Sequence, residues 1–182
     1  MLNLNNFILE KLKITKDTKI NKYNYYPKNK KELVEIVFQK NTDNNGDILN
    51  LNDIDVSKIT DLSYLFENIQ PIKVDMNNWD VSNVRDIHGL FWNNNVTKEI
   101  HIENWNVINV ESAYGAFYFC TNLKELNLDK WNLSSCKEFD LMFKGCENLD
   151  THFTDNWIMP THPITTDEMF EGCKYIPKWY KI

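Results

Sequence analysis

The chain has 182 residues, 42% of them hydrophobic and 13% aromatic, with a net charge of −6. That is ample apolar material for one packed domain, and only five glycines and five prolines argue against a collagen-like or disordered chain. No apolar run reaches about 18 residues, so no membrane-spanning helix is expected.

Residues 1–26 stand apart as a leader. Phe7, Ile8, Leu9, Leu12 and Ile14 alternate with Glu10, Lys11 and Lys13 in a short amphipathic pattern, helix or strand, that ends in a polar T-K-D-T-K. This makes the leader a candidate docking segment, with an extra cap strand or a frayed terminus as the alternative. It has neither a basic start nor a long apolar run, so no secretory signal is expected. Asn24-Tyr25-Tyr26-Pro27 then interrupts the chain.

Residues 27–48 read as a cap helix and a loop. Leu33, Val34, Ile36 and Val37 give Lys30–Lys40 a broad apolar face, and the polar loop 41–47 follows. Residues 1–46 carry nine lysines against five acids, whereas residues 47–182 carry eleven basic and twenty-one acidic residues. An acidic body gains nothing from a phosphate backbone, so nucleic acid is not an expected partner.

Residues 49–182 are organised by a period. Phe66, Phe91, Phe117, Phe143 and Phe170 follow one another at steps of 25 to 27 residues. Trp79, Trp105, Trp131 and Trp157 step by 26, with Ile54 in the preceding slot. Two columns with one period signal stacked units. Within a unit, Leu126 and Leu128 alternate as in a short strand, as do Val74 with Met76 and Ile100 with Ile102. A polar corner comes next (Asp80-Val81-Ser82 in one unit), suited to cap a helix. In Ile59, Leu62, Leu65 and Phe66, apolar positions recur at helical spacing, and Val84, Ile87, Leu90 and Phe91 repeat them. The expectation is an α/β leucine-rich-repeat solenoid of about five strand/helical-turn units, closed by a C-terminal cap in which the aromatic 175–180 stretch folds back.

The stretches I-D-V-S-K-I-T-D-L-S-Y-L-F (54–66) and W-D-V-S-N-V-R-D-I-H-G-L-F (79–91) resemble the BspA-type leucine-rich repeats, a surface-protein repeat family. Cys120, Cys146 and Cys173, each three residues after a column Phe, match that family's cysteine. The resemblance implies a repeat fold and, by its best-known members, a surface adhesin that binds host or matrix proteins. The leader N-F-I-L-E-K-L-K-I is similar to leaders on proteins of crAss-like gut bacteriophages, which implies a virion component or docked cargo.

Catalysis requires a nucleophile with its base, a carboxylate pair in a cleft, or a metal cluster. His88, His101, His152 and His162 make no H-E-x-x-H or H-x-x-x-H spacing, and no C-x-x-C pair, phosphate loop or G-x-S-x-G occurs. No enzyme, cofactor or metal is therefore expected, and the cysteines read as reduced buried thiols. His88 falls on a predicted helical turn as a surface residue, and His101 points outward. Function is left to the outward positions of the strands. Asp75, Glu99, His101, Glu103, Glu125, Asn127 and Asp129 form a mostly acidic ribbon, the candidate face for a protein partner. The expected protein is a recognition or scaffold module, cytoplasmic or virion-associated.

Overall fold

The computed structural model describes residues 22–181. The candidate docking residues Phe7, Ile8, Leu9, Leu12 and Ile14 lie outside that range.

One α-helix, α1 (Lys30–Asp43), opens the fold. The Asn29 side chain accepts from the Glu32 amide at 3.0 Å, satisfying a first-turn donor, and Glu32 in return accepts from the Lys28 amide at 2.9 Å, just before the cap. Leu33 and Val37, four residues apart on one face, are completely buried. Lys30 reaches Asp61 and Lys40 reaches Asp53, both at 3.0 Å, and these pairs hold the two ends of α1 against the body. Upstream, Asn24 and Tyr25 donate their amides to the Asp53 carbonyl, which ties this stretch to the body as well.

Three three-residue strands follow: β1 (Ile48–Asn50), β2 (Lys73–Asp75) and β3 (Glu99–His101). They are parallel, in the order β1-β2-β3, with Leu49 opposite Val74 and Val74 opposite Ile100. The central residue of each is buried and its neighbours are not, as period-two alternation requires.

This overturns the expected α/β leucine-rich-repeat solenoid of five strand/helical-turn units. Among the described residues only three short strands pair into a sheet, and α1 is the only α-helix. The stretches expected as helical turns are runs of tight turns instead. Ile59 bonds back to the Val56 carbonyl and Leu65 to that of Leu62, three-residue closures that a helix of four-residue bonds does not make. In these stretches the backbone turns left-handed, at Tyr64 (φ 51°) in one and Gly89 (φ 56°) in the next, which stops helix propagation. Carboxylates at the corners and within these stretches make Asx turns: Asp80 accepts from the Ser82 amide two residues on, and Asp61 from that of Ser63. Three apolar residues at steps of three fit a chain of such turns as well as a helix face, so the spacing does not separate the two.

Between segments, contacts keep a parallel register. Single bridges join Asp61 to Asp86, Asp86 to Ser112, Ser112 to Glu138, and Glu138 to Thr165. Phe66, Phe91, Phe117, Phe143 and Phe170 stack in sequence with centroids 4.4 to 5.9 Å apart. Trp79, Trp105 and Trp131 stack at 6.0 and 6.3 Å, and all three are nearly parallel. Each indole N–H finds an acceptor inside: Trp79 donates to the Leu51 carbonyl and Trp105 to that of Met76, both at 2.8 Å. The thiols of Cys120, Cys146 and Cys173 donate to the carbonyls of Phe91, Phe117 and Phe143. All four cysteines are free. Burial pushes the Cys136 and Cys173 thiols up to about 12, so they stay protonated at neutral pH.

The last segment departs from the series. A 3-10 helix, His152–Asn156, takes the place of a strand, and Trp157 tilts at 44° against Phe143. Trp179 and Tyr180 then meet Phe170 edge-on, and the Trp179 indole donates to the Thr154 carbonyl at 2.8 Å.

Candidate functional site

The sheet presents its outward side chains as a polar face. On it Glu99 pairs with Lys73 at 2.7 Å, and His101 sits between Glu99 (4.0 Å from Nε2) and Glu103 (3.2 Å from Nδ1). His101 is half-buried on this outward face. Asp75 and Asn127 are spent on local turns, accepting from the amides of Asn77 and Asp129.

Beyond β3 this face opens into a cavity of ≈ 520 Å³. Its apolar side is Ile100, Leu126 and Phe153, and its acidic rim is Glu103, Glu125, Asp129 and Asp150. Lys124 is the cation at the rim, and His101 and His152 face in from opposite sides. One oxygen of Glu103 is cut off from solvent and, among the described residues, has no hydrogen-bond partner. Such an orphan acceptor is uncommon in folded proteins and is a local source of negative potential.

Of the ribbon read from the sequence, the fold gathers His101, Glu103, Glu125, Asn127 and Asp129 around this cavity. Asp75 and Glu99 lie on the same face but outside it. Lys124, Asp150, His152 and Phe153 complete the cavity and were not among the expected residues. At a step of 26, His152 falls in the inward column of Leu126. The 3-10 helix turns it outward instead, onto Tyr175 (3.5 Å between rings) and Asp150 (2.5 Å), and buries Thr154.

His88 also departs from expectation. It lies in no helix and is half-buried between Tyr64, whose hydroxyl is 2.7 Å from Nε2, and Tyr114. Its surroundings are a strip of partly exposed aromatic rings on the turns between segments. Tyr64, Trp92, Tyr114, Tyr118 and Phe119 run across three segments, with Trp92 and Tyr118 stacked at 4.1 Å.

Among the described residues no cluster of three or more His, Cys, Asp or Glu is placed to hold a metal ion, and no helix is long and apolar enough to cross a membrane. The sheet side is a notched acidic face on segments held in parallel register.

Such a chain is a stack of parallel-register segments around one apolar core. It belongs to the family described as Mycoplasma protein of unknown function, DUF285, which matches residues 31–157, more than half of the chain. No curated protein and no solved structure matches it.

Proposed function

We propose that the protein is a non-enzymatic module that recognises or scaffolds another protein through its acidic face. The observation that carries this reading is the 520 Å³ cavity, where Glu103, Glu125, Asp129 and Asp150 outnumber Lys124 around an apolar floor. A core of apolar contact with a charged rim is the anatomy of a protein interface. Interlocked segments keep such a surface rigid, so little ordering entropy is lost on binding. The leader supplies an address: its likeness to phage leaders supports a virion component or docked cargo, virion-associated or cytoplasmic. The second reading is a BspA-like adhesin for host or matrix proteins, supported by the repeat likeness at 54–66 and 79–91.

The test is a pull-down from native lysate and from purified particles, comparing the full chain with a deletion of residues 1–21. That cut spares the hydrogen bonds of Asn24 and Tyr25 to the body. One assembly captured by the full chain and lost on deletion supports the virion reading. Capture that survives deletion puts recognition on the body. Binding only to extracellular matrix proteins supports the adhesin.

A further inference from the structure

We propose that the aromatic strip on the turns is a second binding surface, one that takes an arginine-bearing segment of a protein partner. The strip starts on α1, where exposed Phe38 and half-buried Val34 line a ≈ 200 Å³ cavity with Tyr64 and Ile69. It continues through Tyr64 and Trp92, 6.0 Å apart, to the Trp92–Tyr118 stack and on to Phe119, 4.7 Å from Tyr118. Tyr64 is 38% exposed and Phe119 37%, so the strip is open at both ends.

The backbone beneath is shaped to seat these rings. A Cβ on Gly89 would stand 2.5 Å from the Tyr64 ring, one on Gly145 would stand 3.0 Å from that of Phe119, and one on Gly115 would run into the Trp92 ring. Each ring therefore lies across a glycine of the following segment. Tyr64 (φ 51°) and Phe119 (φ 53°) are themselves left-handed, a backbone that bulky side chains avoid. Leu141 and Glu168 share the Tyr64 column and its left-handed backbone, so strain alone does not single out the aromatics. The pairing of ring with glycine does, because it recurs at three consecutive steps.

Charge selects the occupant. Glu35 lines the cavity beside Phe38, and Glu67 and Asp86 bear on the Tyr64 hydroxyl, which burial first and then these carboxylates push up. Lys30, at the same end, is already held by Asp61. Aromatic faces amid carboxylates attract cations, and a planar guanidinium stacks on a ring where an ammonium does not. This surface is separate from the acidic cavity and does not depend on it.

The test is fluorescence anisotropy of the full chain against a labelled alternating Arg-Gly peptide at low salt. A Lys-Gly peptide of equal length and a neutral cello-oligosaccharide are the other arms. The Arg-Gly peptide is expected to bind several-fold tighter than Lys-Gly, and Trp92→Ala to weaken it about fivefold. In the Glu103→Gln, Asp129→Asn background, which removes competing carboxylates of the acidic face, the Arg-Gly preference and the loss in Trp92→Ala are expected to persist. Should Trp92→Ala fail to fold, Glu67→Gln, which removes no ring, is expected to weaken Arg-Gly binding by about twofold. Equal binding of the two peptides, no effect of either variant, or displacement by the oligosaccharide overturns the proposal.

Discussion

The protein has two unlike faces over one core. The sheet face is polar: its acids sit in outward columns, and β2 and β3 hold their charges in pairs such as Lys73–Glu99. The turn face is aromatic, with Tyr64, Trp92 and Phe119 each laid across a glycine of the next segment. The difference teaches that the same 25–27-residue step sets two kinds of surface. On the strands it aligns like positions, whereas on the turns it interlocks unlike ones.

The core beneath both faces should respond most strongly. Phe117 is fully buried between Phe91 and Phe143, at 5.9 and 5.5 Å. Phe117→Ala is expected to cost about 3–5 kcal/mol in urea unfolding and to disturb both faces. A cost below about 1 kcal/mol would mean that the stack does not bear on either. Gly115→Ala aims at the turn face alone. Its φ of 52° and the Trp92 ring above both oppose a methyl group, and a loss of about 1–2 kcal/mol is expected. Trp92 fluorescence should shift toward the solvent-exposed range while the groove's His101 and His152 proton resonances stay in place. Movement of both would merge the two faces into one unit.

The smallest effect concerns pH at the edge shared by α1 and the first segment. Burial raises the Asp61 carboxyl, but hydrogen bonds from Ser63 and the Lys30 ammonium outweigh it and hold its pKa below the ordinary range. A depressed folded-state pKa adds stability that is complete above the unfolded value of about 3.9, and it is lost as pH falls through the folded value. The melting temperature should therefore drop below about pH 4, and Lys30→Gln should flatten that drop. An unchanged acid limb in Lys30→Gln would remove this pair from the account.

How much of this was legible follows from where each residue lies. The Phe column and the Trp column as far as Trp131 were readable because each ring stacks on its own counterpart one step away. The secondary structure drawn from them was not, since tight turns and a helix place apolar residues at the same spacing of three. Of the cavity, Glu103, Glu125 and Asp129 were readable as outward columns. His152 was not, because a period cannot announce its own break, and the 3-10 helix moved it from an inward slot to the rim. The aromatic strip escaped because Tyr64, Trp92 and Phe119 stand in three different columns. Only the left-handed turns bring them together.

The central claim is that the acidic face binds a protein. It is tested most directly by reversing its charge, with Glu103→Lys and Asp129→Lys together, and repeating the pull-down beside the wild-type chain with circular dichroism as the fold control. The account predicts that the protein captured by the wild type is lost while the spectrum and melting temperature are kept. Capture of the same protein at the same level by the folded double variant would contradict it.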